Sequence, residues 1–116
     1  MTTHATLEVI LKQASAYYHE TISRLQGKRR LKNLVQARQV FSYLARKHTK
    51  ASFQTIGHYL GGRDHTTIMH GVRQVEKQLK KSAEFRAQMD ELENKVAMHT
   101  GDIFSGGGDA ENARTA

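Results

Sequence analysis

Apolar residues recur every three or four positions through most of this chain, and no proline interrupts them. That period matches the 3.6-residue turn of an α-helix, and proline is the residue that most strongly breaks one. Strand-like alternation is scarce. The pattern predicts an all-α fold: a small helical domain with a helix-turn-helix, a basic loop and an additional C-terminal helix. Leu7, Ile10, Leu11, Ala14 and Tyr18 share one face of a first helix, with Thr6 as its expected N-cap. A short turn of helix is expected at Thr21–Gln26, closed by Gly27 and followed by the basic loop "GKRRLKN". The next helix is predicted over Leu34–His48, with Ala37, Val40, Phe41, Leu44 and Ala45 inward. Ser52 is placed to cap "SFQTIGHYL".

Gly61 and Gly62 then break the chain. Glycine closes helices because it tolerates positive φ. A further helix is expected from Asp64 or His65, with Asp64 as cap and a buried stripe of Ile68, Met69, Val72, Val75 and Leu79. Ser82 begins another, with Phe85, Met89, Leu92 and Val96 on its apolar face. The expected organisation is a flexible terminus at 1–5, one helical domain at 6–99, and a disordered acidic, glycine-rich tail at 100–116. A chain of 116 residues suits one such domain.

Charge is distributed unevenly. Residues 1–81 carry a net charge of +11 and residues 82–116 a net charge of −4. Between Glu20 and Asp64 there is no carboxylate. That interval holds Arg24, Lys28, Arg29, Arg30, Lys32, Arg38, Arg46, Lys47, Lys50 and Arg63. A surface selected only for solubility mixes its signs, whereas an acid-free run of this length suits a polyanionic partner. Aromatics are few and do not interleave with the basic loop, which argues against stacking on single strands.

Residues 52–80 have the outline of a helix-turn-helix, whose second helix presents its first residues to base edges in the major groove. "RDHTT" carries the chemistry for that task. Arg63 can bond a phosphate or a guanine edge, and Asp64 can accept from a cytosine amino group. His65 can donate, and Thr66 and Thr67 bring a hydroxyl and a methyl. The simpler structural roles are a cap for Asp64, turn residues for Gly61 and Gly62, and a packed core position for His70. Other chemistries lack their residues. The chain has no cysteine, and His65 and His70 stand five apart, off the spacing of a helical zinc pair. No phosphate loop, nucleophile triad or carboxylate pair is recognisable, so no enzyme, metal or cofactor is expected. The first residues lack the features of a signal peptide, and no stretch approaches a membrane span, so a cytoplasmic, nucleoid-associated protein is expected.

"GGRDHTTIMHGVRQVEKQL" resembles the signature of the C-terminal DNA-binding domain of DnaA, the bacterial replication initiator. "YYHETISRLQGKRR" and "ARQVFSYLARKHTKASFQTIGHYL" are similar to the family's preceding helices and basic loop, so that the likeness covers residues 6–98. The resemblance implies binding to short asymmetric duplex elements, the DnaA boxes. It implies base contacts from Asp64, His65 and Thr66, and a minor-groove role for Arg30. Arg38, Arg63, Thr67 and Arg73 would hold the backbone or flanks, and Lys28, Arg29 and Lys32 would add loop charge. A full initiator also carries an ATPase domain, so the expected protein is a stand-alone DnaA-like factor that modulates replication initiation, with its oligomeric state open and a monomer favoured. Where the family shows Arg-Pro-Arg, this chain reads Gln36-Ala37-Arg38. Two other functions fit the same residues. One is a protein-interaction regulator of the initiator, motivated by "TGDIFSG" in the tail. The other is a transcriptional regulator using the same DNA contacts.

Overall fold

The computed structural model describes residues 2–100, and these form six helices with no strand among them. The helices are α1 (Thr3–Tyr17), α2 (Ile22–Gln26), α3 (Lys32–His48), α4 (Phe53–Tyr59), α5 (His65–Lys81) and α6 (Ala83–Thr100). The expected tail lies outside the described residues apart from Thr100, which ends α6. Among the described residues no helix is long and apolar enough to cross a membrane.

Caps account for most of the boundaries. Thr21, Ser52 and Asp64 each have extended backbone and accept a bond from an amide of the first turn. The first helix departs from its expected start. Thr2, rather than Thr6, caps it by accepting from the Ala5 amide, so residues 3–5 of the segment read as flexible are helical. The third helix also starts early, at Lys32. Its N-cap, Leu31, offers no side-chain bond, and a lysine opens its first turn. Both features disfavour a helix start, so this boundary is set by tertiary contacts described below.

α3 is the central element, packing against α1, α4 and α5. Ala37, Val40, Phe41 and Leu44 along it are fully buried, together with Leu7, Ile10, Leu25, Ile56, Leu60 and Val75 from its neighbours. Two glycines let helices and turns approach closely. A Cβ at Gly57 would stand 2.1 Å from the Arg63 carbonyl oxygen, and one at Gly71 would stand 3.2 Å from Cγ of Gln39. The stripe expected on α5 is buried at Ile68, Val72 and Val75 but only half-buried at Met69 and Leu79.

α6 packs on α1 and α5 through Phe85, Met89, Leu92 and Val96. A polar clasp also ties it to α3: Lys47 Nζ lies 3.0 Å from Glu93 Oε2, and His48 bonds the same carboxylate. Burial raises the Glu93 pKa, but the bonds from His48 and Lys47 outweigh it and leave the group below its ordinary value. A depressed carboxylate stabilises the fold above its unfolded-state pKa, and that contribution is lost as pH falls through the folded-state value. Glu93→Gln should therefore cost about 1–2 kcal/mol at neutral pH. It should also flatten the acid side of the stability profile. Urea unfolding of both proteins across the acid range checks this; parallel profiles would mean the clasp contributes nothing.

Candidate nucleic-acid interface

The amino end of α5 faces outward. Asp64, His65, Thr66 and Thr67 are all exposed, while Ile68 immediately behind them is buried. Gly61 (φ +84°) and Gly62 (φ +89°) reverse the chain ahead of this end, and the Gly57 carbonyl accepts from the amides of both Gly62 and Arg63 at 3.0 Å. The turn between α4 and α5 is thus closed by backbone bonds rather than left as a loose loop.

Within the end itself, Asp64 is first of all a cap. Its Oδ2 accepts from the Thr66 amide at 3.1 Å and from the Thr66 hydroxyl. These bonds, the hydroxyl's first, hold the Asp64 carboxyl below its ordinary pKa. Oδ1 remains turned toward His65, whose Nδ1 lies 3.6 Å away. The arrangement leaves one carboxylate oxygen, the His65 ring and the Thr66 methyl on an exposed rim.

Beside this rim runs the basic loop. Lys28, Arg29, Arg30 and Lys32 are exposed, with Lys32 now in the first turn of α3. Among the described residues none of these four forms an ion pair with a carboxylate; the ion pairs present join carboxylates to His4, Arg24, Lys47, His48, His65 and Lys95. Arg73 is exposed farther along α5, about 12 Å from its start by helical rise.

Arg38 and Arg63 occupy a different place from the one the sequence suggested. Arg38 is 7% exposed and spends its guanidinium on main-chain oxygens. Nε donates to Leu25 at 2.7 Å, Nη1 to Arg29 at 2.6 Å, and Nη2 to Arg24 at 3.0 Å and Gly27 at 3.1 Å. Arg63 is half-buried; it donates to the Leu60 carbonyl and, at 2.6 Å, to that of Gly27. Burial, followed by the neighbouring cations Arg63 and Arg30, lowers the Arg38 pKa; burial and Arg30 lower that of Arg63. Arg38 is thus a buried residue that braces the loop, and Arg63 ties that loop to the helix-turn-helix turn.

Four further positions differ from expectation or were missed. His70, expected in the core, is exposed. Gln36, which stands where the resembled family carries arginine, faces α5 and exchanges side-chain amide bonds with Gln78 at 3.2 and 3.4 Å. Arg46 and Lys50 are exposed near the start of α4, with Arg46 lying over the Phe53 ring at 4.4 Å. Both lie just ahead of α4, the first helix of the motif. Their membership of the acid-free interval was the available signal. Among the described residues no group of three or more His, Cys, Asp or Glu side chains is arranged to hold a metal ion.

The family model described as "Bacterial dnaA protein helix-turn-helix" matches residues 7–75. The chain belongs to this family. Curated relatives agree. The chromosomal replication initiator protein DnaA of Geobacter sp. (strain M21) is 38% identical over 91 residues, covering 78% of this chain and 20% of the relative. The protein of that name from Nautilia profundicola is 41% identical over 91 residues, covering 78% of this chain and 21% of the relative. That from Limosilactobacillus fermentum is 37% identical over 92 residues, covering 79% and 21%. The aligned region thus spans about a fifth of the length of these relatives. The molecule is a DnaA-type, DNA-binding helix-turn-helix domain, with α4 and α5 as its two motif helices and the loop before α3 alongside them.

Proposed function

We propose that this DnaA-type domain binds duplex DNA sequence-specifically at DnaA-box-like elements and through them modulates initiation of chromosomal replication. The observation that carries the reading is the exposed amino end of α5, set beside a basic loop that has no carboxylate partner among the described residues and bonded to it through Arg63 and Gly27. In this reading the α5 end enters the major groove. His65, the Thr66 methyl and Asp64 Oδ1 meet base edges, and Thr67 meets a phosphate. Arg30 enters the adjacent minor groove, where a narrow A·T-rich segment concentrates negative potential. Lys28, Arg29, Lys32 and Arg73 neutralise phosphates, joined by Arg46 and Lys50 on the far side of the motif. Arg38 acts indirectly by holding the loop in shape.

Fluorescence anisotropy with a box-containing duplex and a scrambled one, at several salt concentrations, tests the proposal. About six phosphate contacts would weaken binding roughly a thousandfold between 50 and 200 mM salt. The box should retain its preference throughout; equal affinity for both duplexes removes the specificity. His65→Ala should cost about 1–3 kcal/mol on the box and little on the scrambled duplex. Arg30→Ala should cost a similar amount and blunt the preference for A·T flanks. Unchanged binding by either variant would remove that side chain from the DNA. Chromosome-wide occupancy confined to promoters, away from initiator boxes, would replace replication control with transcriptional regulation.

A further inference from the structure

We infer that Leu31 is an apolar DNA contact, seated in the minor groove beside Arg30 against the deoxyribose walls of the duplex. The inference rests on the duplex-binding reading above and adds to it a side chain that carries no charge.

Leu31 breaks two local rules at once. It is the N-cap of α3, with φ −68° and ψ 151°, the extended backbone from which a serine or aspartate side chain accepts a first-turn amide. Thr2, Thr21, Ser52, Asp64 and Ser82 each supply such a bond at the start of their own helices. The start of α3 has no side-chain cap bond, and leucine is among the poorest residues for the position. Its carbonyl already accepts from the Val35 amide at 2.9 Å, so the backbone holds a capping geometry that the side chain leaves unused. The side chain is also 49% exposed and takes no part in the core cluster. The other large exposed hydrophobic among the described residues, Met98, lies near the end of α6, away from the acid-free interval. A leucine at position 31 thus serves neither the helix nor the core, and a residue that breaks local rules without a gain in folding marks a functional position.

Its setting indicates what covers it. Arg30 and Lys32 flank it, both exposed and neither paired with a carboxylate among the described residues. Val35, half-buried and one helical turn on, lines the groove between the loop and α5, where no carboxylate is present. An occupant has to offer anions to both cations and an apolar surface between them. The minor groove does both: it is about 6 Å wide, rimmed by phosphates and walled by deoxyribose C–H groups. Proteins that enter it combine arginine or lysine with aliphatic side chains, leucine included.

The test is anisotropy on the parent, Leu31→Ser and Leu31→Met with box and scrambled duplexes over a salt series, together with the Tm of each protein. Leu31→Ser should bind both duplexes about fivefold more weakly, the effect of leaving half a leucine side chain uncovered. Its salt slope should match the parent's, because an apolar contact releases no counterions. It should melt roughly 4 °C higher, since serine supplies the missing cap. Weaker binding by a more stable protein separates a lost contact from a loosened loop. Leu31→Met keeps the apolar bulk and should bind like the parent. Methyl NOEs to deoxyribose protons, present in the parent complex and absent with Leu31→Ser, should show the contact directly. Leu31→Ser binding as tightly as the parent overturns the inference. So does weaker binding accompanied by a lower Tm or a shallower salt slope, which would trace the loss to a displaced loop. Deoxyribose is common to every sequence, so the scrambled duplex reports the contact too. Equal binding of both duplexes by the parent, with the fivefold loss intact, would defeat the sequence-specific reading and leave Leu31 in place.

Discussion

Arg38→Lys should detach the basic loop while leaving the hydrophobic core intact. The wild-type guanidinium reaches four carbonyl oxygens, at Leu25, Arg29, Arg24 and Gly27, from three nitrogens pointing in different directions. An ammonium is a point donor on a flexible stem and cannot span that set. The Gly27 and Arg24 oxygens keep bonds from Arg63 and the Gly27 amide, but those of Leu25 and Arg29 lose the guanidinium, and a buried carbonyl left without a partner costs about 1–3 kcal/mol. Arg38 is also surrounded by like charge from Arg30 and Arg63, with Glu20 as a weaker, opposing influence, so the main-chain oxygens are what make its burial tolerable. The expected loss is about 2–4 kcal/mol of stability, or roughly 10–25 °C in Tm for a domain of this size. The same variant should lose box affinity, because the start of α3 and the position of Arg30 depend on the loop. Thermal unfolding monitored by circular dichroism, paired with anisotropy, checks both. A variant that melts within about 2 °C of the parent and binds equally well would show that the loop is held by something else.

Gly61→Ala should be strongly destabilising, and Gly62→Ala is its internal control. Both positions have positive φ, at +84° and +89°, where a side chain is disfavoured by about 1–2 kcal/mol. Only at Gly61 does the new carbon also collide with main chain: it would stand 2.2 Å from the Gln26 carbonyl oxygen. At Gly62 nothing lies within 4 Å. The end of α2 would have to move away from the turn, pulling on the Gln26 Nε2 to Tyr59 carbonyl bond of 2.8 Å. Gly62→Ala should therefore cost about 1 kcal/mol, and Gly61→Ala about 3 kcal/mol or more. Urea denaturation of the two variants measures the difference directly. Equal losses would mean that the turn relaxes freely and that its contact with α2 does not matter.

The surface around the α5 end was readable in advance because its determinants are local. Asp64 caps from its own sequence position, the paired glycines reverse the chain ahead of it, and Thr67 is turned outward by its place one residue from the buried Ile68. Arg38 could not be placed that way. In sequence it is one more cation in an acid-free run, on a helix whose inward face is defined by Ala37, Val40, Phe41 and Leu44. What buries it is the path of the 24–29 segment across α3, a contact between residues 9 to 14 positions apart. His70 was misread for a related reason. Its place beside an apolar stripe suggests the core, but α3 closes on α5 at Gly71 and leaves the neighbouring position open.

By itself the sequence determined that this protein is helical, where most of its helices begin, and that a polar segment opens α5. Period, capping and glycine tolerance act over a turn or two of chain and leave their mark in the order of residues. Only the tertiary structure decided which cations are free to meet DNA and which are spent inside the molecule. That choice depends on which carbonyls the packed helices bring within reach of each guanidinium, and such long-range geometry has no local pattern to reveal it.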